Sequence, residues 1–501
     1  MTTDYKTAYC KICVKPVYNI REWEEKMNKP FTKLSACLLA AAVAFSASGV
    51  HTFAAEQPAV IAQVQATNYA VGLNYDGSGF TLTFADKTQA KSMYVQTASN
   101  ISIKDGSTTY TLKKGLYYFN AEGKLNQNPT GIGIRKVYPV STAFEKKTPV
   151  NYVVKNAACT NKSDVISSGS IYFTGKYGSK IYKSGRPYSG VADVSSVMYK
   201  VTNGTYNSKS KYTGLLKTSY VSVSAQKLKS ATNLYYNSGK PYTGVVSRKY
   251  YKNGKAQNVS GWKKIGNSVY YFKKGVAVTG WKRLKSYGGG TAKYKYYFKK
   301  NGRLVMDLFS VNRNYYIKQK MKIRVNLTTH NTTFYIYDNQ TKDYTIPALT
   351  AICSTSRTRT GTPTGHFRLE KTSARKWFIY TKSNPYHYYQ YGVHIKGSKS
   401  WFHSTMHRTT SRNSLIVNGA AGYNKLGTNQ TTACIRHQAG VAKLIYDIST
   451  KTYRKARVWV DVYRSGTQGP FGKITLAQTT GKLKSSQKYD PTVNYKKLCK
   501  Y

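Results

Sequence analysis

The chain has 501 residues, too many for one ordinary domain, so roughly two to four are expected. Lys and Arg number 78 against 19 Asp and Glu, a formal net charge of +59 that calls for an anionic partner or surroundings. Nucleic acid fits poorly with 47 Tyr behind an export signal; anionic polymers outside the cell fit better.

Residues 1–54 read as a leader and signal peptide. Lys29 and Lys33 precede an apolar run from Leu34 to Phe45, and small residues follow up to Ala54 and Ala55. That is a basic n-region, an h-region and a cleavage site near Ala54 or Ala55. About a dozen apolar residues are too few to span a bilayer, and no later segment reads as transmembrane. Glu22, Glu24 and Glu25 make an odd preface to such a signal, so Met27 is a candidate for the true start. Cys10, Cys13 and Cys37 would leave with the leader, and Cys159, Cys353, Cys434 and Cys499 would remain. Their spacing matches no zinc site and no dense disulfide framework, which leaves one of them free for chemistry.

Residues 55–164 read as a β-rich region, with short runs such as Phe80–Phe84 and Gly115–Phe119 broken by Gly, Asn and Asp. Over 165–310 a looser unit recurs: an aromatic pair, a turn with Gly, then a Thr-Gly or Gly-Trp step. Leu234–Gly239, Val269–Gly275 and Lys295–Gly302 are examples, linked by Tyr212-Thr-Gly214, Tyr242-Thr-Gly244, Gly261-Trp262 and Gly280-Trp281. Self-similarity at about 20 residues implies stacked units, here β-hairpins, none of which buries its own face alone.

From about residue 320 the texture changes. Ile323, Val325 and Leu327 alternate, as do Phe334 and Ile336, and strand patterns continue to Val458–Tyr463. A third domain is expected over 322–464. One helix is predicted just after Cys434, with Val441, Leu444, Ile445 and Ile448 at i, i+3, i+4 and i+7. The tail, 465–501, is rich in Lys, Gly and Ser and is expected to be poorly ordered.

The repeats resemble the cell-wall-binding, choline-binding-like repeats of Gram-positive surface proteins, best over 232–305. That resemblance implies ligand grooves lined by Trp262, Trp281, Tyr270, Tyr271, Tyr296 and Tyr297, whose faces suit sugars or quaternary ammonium. Hairpin stacks also need aromatics simply to pack. Most units lack the Trp, so attachment to anionic wall polymers such as teichoic acid is expected ahead of choline capture.

In the C-terminal third, three segments occur in a telling order. Cys353-Ser354 leads to Gly361-Thr-Pro-Thr-Gly365; Tyr391-Gly-Val-His394 leads to Trp401-Phe-His403-Ser404; Leu426-Gly427 leads to Thr431-Thr-Ala-Cys434-Ile-Arg436. Together they resemble the L,D-transpeptidase (YkuD-like) catalytic domain. The fold expected is therefore mainly β: an N-terminal stack of β-hairpin repeats, then a β-sandwich catalytic domain with one helix after the nucleophile.

The same residues make chemical sense alone. A thiolate is the competent nucleophile, and a helix starting directly after Cys434 would favour its anion. Arg436 and His437 add positive potential, and Arg436 has the fork to hold a substrate carboxylate. His403, in a Phe-His-Ser404 context, is the candidate base, with Ser404 beside it as a further candidate catalytic residue and His407 and His437 as alternatives for the base. Backbone N–H groups of Ala433 and Cys434 would hold the oxyanion, beside the hydroxyl of Thr431. Cys353 and His394 are expected to be structural. Thr431, Thr432 and Ala433 stand where the family has Ser, His and Gly, so the loop lacks an imidazole and carries a methyl where glycine would permit positive φ. A longer stretch between His403 and Cys434 implies an inserted loop at Arg408–Asn418.

The resemblance implies a secreted, wall-associated enzyme of a Gram-positive-type bacterium. In it Cys434 attacks the carbonyl of the third residue of a tetrapeptide stem, D-Ala leaves, and an amine of a second stem takes the acyl group to form a 3→3 cross-link. No metal or other cofactor is implied, and no nucleic-acid partner. An L,D-carboxypeptidase or endopeptidase acting on the same stems, or a wall-binding protein with a decayed site, are the alternatives.

Overall fold

The computed structural model describes residues 70–126, 130–382, 385–419, 422–451 and 458–494. The expected leader with Cys10, Cys13 and Cys37, and also Cys499, lie outside the described residues. The chain divides into two compact units, one holding residues up to 242 with 253–255, the other 243–252 with residues from 256 onward.

Among the described residues of the first unit the regular elements are β-strands, with one short 3-10 turn at Ser208–Ser210. Its N-terminal part holds a mixed six-stranded sheet and buries Leu82, Phe84, Val95, Leu112 and Phe119. Short hairpins follow, such as Gly175–Tyr177 with Lys180–Lys183. Their turns share a device that explains the repeat. Ser184-Gly185 and Ser238-Gly239 both take positive φ at both positions, the two-residue turn whose twist matches that of paired strands. The Gly239 N–H donates to Tyr212 O and its carbonyl accepts from Met198 N, which stitches the turn to the unit before it. A Cβ at Gly239 would stand 2.5 Å from Val197 and 2.8 Å from Met198 O, so the close approach requires glycine.

The second unit contains the last hairpins and the C-terminal domain. In that domain β1 (Met321–Asn326), β2 (Asn331–Asp338) and β3 (Asp343–Ile352) form a meander. Next come β4 (Gly365–Leu369), β5 (Arg375–Tyr380), β6 (His387–Lys396), β7 (Trp401–Ser404), β8 (Ile435–His437) and β9 (Trp459–Tyr463). The strand order is β3-β2-β1-β9-β4-β6-β7-β8, with β5 paired to β6. Pairs β1/β9 and β7/β8 are parallel. Helix α1 (Ala439–Lys451) buries Val441, Leu444, Ile445 and Ile448 completely, on the spacing read from the sequence. These meet Ile323, Val325, Phe334, Val393 and Phe402 in one core.

Two expectations change here. Residues 465–494 are not a loose tail. Phe471 and Ile474 pack with Tyr296 and Phe298 of the last hairpin, and the Asn331 side chain bonds both the carbonyl and the N–H of Ile474. Asp490, fully buried, accepts the Ala439 N–H at 2.7 Å, and the Thr492 hydroxyl accepts that of Gly440 at 2.8 Å, so the tail caps α1. Low hydrophobicity hid this, because the segment is anchored by hydrogen bonds and only a few apolar side chains.

The last hairpin, Gly280–Lys285 with Lys293–Phe298, also belongs to the C-terminal core. Arg283 bonds Asp338 and Thr345, Lys295 lies 3.7 Å from Asp338, and Trp281 and Tyr297 pack on the central cluster. Tyr296 is 1% exposed and donates its hydroxyl to Pro470 O; Tyr270 is 8% exposed. Burial leaves neither an open face, which contradicts their expected place in a ligand groove. Trp262 sits among Tyr271, Tyr287, Tyr296 and Phe298, its indole N–H donated to Lys285 O. Among the described residues no helix is long and apolar enough to cross a membrane.

Candidate functional site

Cys434 ends the loop that follows the short strand Asn429–Thr431. This loop is held by its carbonyls. The Thr362 hydroxyl donates to Ala433 O at 2.8 Å, Ser400 to the same oxygen at 2.9 Å, and Ser356 to Thr432 O at 2.7 Å. Thr431 Oγ1 donates to Cys434 O at 2.6 Å. With the carbonyls turned inward to hydroxyls, the N–H groups of Ala433 and Cys434 donate to no other described residue. That arrangement offers donors to a developing oxyanion. Gly361 permits it, since a Cβ there would lie 1.9 Å from Ser356 Oγ and 2.2 Å from Thr432 O. The Gly361–Gly365 segment thus supplies both the hydroxyl, at Thr362, and the clearance, at Gly361.

The thiol of Cys434 is half-buried. Burial pushes its pKa up, opposed by a backbone hydrogen bond at Trp401 and by the Arg436 charge. The expected helix-terminus effect is absent: β8 and Gln438 separate Cys434 from α1, whose first amides are already taken by Asp490 and Thr492. The groups left to act on this thiol are side chains and loop amides. The concern over Ala433 also falls away, because its φ is not positive and the extra methyl costs no backbone strain.

His403 faces Arg436 across the β7/β8 pair. It is 2% exposed, lies 4.1 Å from the Tyr389 ring centroid and stacks on Phe378 at 5.7 Å. Its Nδ1 is 2.7 Å from Ser404 O, an acceptor, so Nδ1 carries the hydrogen and Nε2 has the lone pair. Burial, reinforced by Arg436, lowers its pKa to about 3, and the ring is neutral at ordinary pH. The Ser404 hydroxyl donates to Thr405 O and receives the Gln390 N–H, fixing the neighbouring strand.

Arg436 is not placed as the sequence suggested. It is 3% exposed, donates to Gln430 Oε1 at 2.9 Å and lies 5.6 Å over Tyr389. It lends positive potential to Cys434 but presents no free fork to a ligand. Tyr389 and Gln430, which hold it, carried no signal in the sequence.

The alternatives for the base sit elsewhere. His437 is fully buried, with Nε2 2.9 Å from Thr332 Oγ1, and burial lowers its pKa to about 3. His407 is 1% exposed and packs edge-on to Trp377; burial lowers its pKa to about 4, against a backbone hydrogen bond at Ser411. His394 bonds Glu370 at 2.5 Å and Ser398 O at 2.7 Å, as a structural residue does. Cys353 lies wholly inside the core, its thiol pushed up to about 12 by burial. The inserted segment after His403 packs Leu415 and Val417 against Tyr423, Leu426 and Leu476, so insertion and tail support each other. Among the described residues no cluster of three metal-ligating side chains occurs.

Residues 320–460 match the family model of the L,D-transpeptidase catalytic domain, YkuD. No curated protein matches the chain. Similar solved structures include a fused Zn-dependent amidase/peptidase/peptidoglycan-binding domain-containing protein of Clostridium acetobutylicum (21% identity over 29% of this chain, TM-score 0.21), of which only 52% is covered. An L,D-transpeptidase from Mycobacterium smegmatis is 12% identical over 35% of this chain and 64% of its own, with TM-score 0.21. CbpJ from Streptococcus pneumoniae is 19% identical over 48% of this chain and 83% of its own, with TM-score 0.18.

Proposed function

We propose that the YkuD-type L,D-transpeptidase domain at residues 320–460 forms 3→3 cross-links in peptidoglycan through a Cys434 acyl-enzyme. The observation that carries this reading is the nucleophile loop: three hydroxyls bind its carbonyls while the Ala433 and Cys434 amides stay available beside a thiol. In the first step the thiol proton passes to His403 Nε2 and sulfur attacks the carbonyl of the stem's third residue. The amides take the oxyanion, the bond to the terminal D-Ala breaks, and its amine leaves with the proton. An amine of a second stem then attacks the thioester, and Cys434 is restored. The broken peptide bond supplies the energy of the new one.

Export and wall association complete the reading. The apolar run Leu34–Phe45 would direct secretion, and the repeats with their Lys surplus would hold the protein on anionic wall polymer. The test is incubation of the full chain with tetrapeptide-stem muropeptides, products read by mass. Tripeptide–tripeptide cross-links should form with the unaltered chain and vanish in Cys434→Ala. Free tripeptide stems without dimers would make the enzyme a hydrolase, and full activity of Cys434→Ala would remove the reading.

A further inference from the structure

Arg436, the sequence's candidate for a substrate carboxylate, is buried and engaged, which leaves that role open. A polar cavity of about 250 Å³ lies against the nucleophile loop. Three guanidinium-bearing residues, Arg357, Arg359 and Arg464, line it with Thr358 and Asn429, and no acidic residue does. Its walls are shared with the loop: Ser356 and Thr362, also lining residues, donate to the carbonyls of Thr432 and Ala433 just before Cys434. The Arg357 N–H donates to Thr431 O, and the Arg464 side chain donates to Arg359 O, so the loop, the cavity rim and the end of β9 are tied together.

We infer that this cavity seats the C-terminal carboxylate of the donor stem peptide while Cys434 attacks the carbonyl one residue before it. The inference rests on the L,D-transpeptidase reading above. Adjacency supports it: two of the cavity's lining residues, Ser356 and Thr362, hold the carbonyls of the two residues directly before Cys434. Charge supports it too. His330, beside the cavity at Thr355, has its pKa lowered by burial and then by the charges of Lys473 and Arg464, and Arg357 acts in the same direction on Arg436. Positive potential thus extends from the thiol to the cavity, and no acidic residue is among those that line it. Guanidinium forks match a carboxylate's two oxygens, and such charge-assisted bonds are the strong ones.

The test uses the full chain carrying Cys434→Ala, which binds without turnover. Calorimetry compares a tetrapeptide-stem muropeptide with the same compound amidated at its C-terminus. The acid should bind about ten- to a hundredfold more tightly, the worth of hydrogen bonds to a charged group. Adding Arg357→Gln with Arg359→Gln should bring the acid-to-amide ratio close to one, whereas Arg357→Lys with Arg359→Lys should keep most of it. Equal affinity for acid and amide, no measurable binding of either, or a ratio that survives the Gln pair overturns the assignment. Product formation by the unaltered chain judges the chemistry separately. Acid preference without product leaves the cavity standing and removes the transpeptidase; product without acid preference does the reverse.

Discussion

Three histidines are buried neutral in the second unit, and acid should unfold it. His403, His407 and His437 have pKa values lowered from 6.5 to about 3, about 4 and about 3, in each case chiefly by burial. Below pH 6.5 the unfolded chain binds protons that the folded chain refuses, so stability present above that pH is lost as pH falls toward the folded values. One pKa unit is worth about 1.4 kcal/mol, so three sites give a slope of about 4 kcal/mol per pH unit. By pH 5 the loss is about 6 kcal/mol, comparable to the whole stability of many domains, about 5–15 kcal/mol. Asp490 offsets part of this, since burial raises its pKa and it takes up a proton earlier when folded. Five of the six tryptophans lie in the second unit, so indole fluorescence in urea titrations follows chiefly that unit. His407→Phe should remove about a third of the acid slope, because a phenyl ring takes up no proton and keeps the packing against Trp377. An unfolding free energy at pH 5 within about 1 kcal/mol of that at pH 7 would refute the argument.

His403→Ala should lower cross-link formation by about 10²–10⁴-fold, the worth of a positioned base, whereas Cys353→Ser should retain most activity and lose stability; rates from muropeptide assays decide both. A fragment ending at 464 should melt well below one ending at 494, and Asp490→Ala in the full chain should cost about 1–3 kcal/mol in urea titrations, because the first amides of α1 lose their acceptor. Binding of the full chain to purified sacculi should weaken steeply as salt is added, since exposed charges are screened beyond about 8 Å at physiological ionic strength; binding that holds at high salt would shift the weight to the aromatics.

Periodicity carried what was legible of the fold. The four apolar positions of α1 and the alternation in β1 and β2 are long-range burial written into local pattern. The tail was not legible because Asp490, Thr492 and Asn331 act through hydrogen bonds to distant backbone, which leave no period in a sequence. In the site, Cys434 and His403 stood out by residue type. The groups that hold them, Ser356, Ser400, Tyr389 and Gln430, are common residues whose roles depend on pairing across strands far apart in the chain. Arg436 was misread for the same reason: a guanidinium two residues after the nucleophile says nothing about whether its strand faces solvent or core, and β8 faces the core.

The departures at Thr432 and Ala433 can now be weighed. What fixes the loop is carbonyl capture by Thr362, Ser400 and Ser356, and none of these contacts uses the side chain at 432 or 433. Ala433 is buried with ordinary φ, and its methyl needs only space. Thr432 is exposed, so an imidazole there would touch ligand and solvent, not the scaffold. Thr432→His should therefore leave the melting temperature unchanged within about 2 °C, as expected of a surface change worth less than about 0.5 kcal/mol. Any effect should appear in turnover of tetrapeptide stems. If the missing imidazole contributed a proton or a hydrogen bond in the transition state, the variant should gain rate with little change in KM. If it instead loses stability, the loop depends on Thr432 in a way the three carbonyl bonds do not explain, and the account of how the loop is held fails with it.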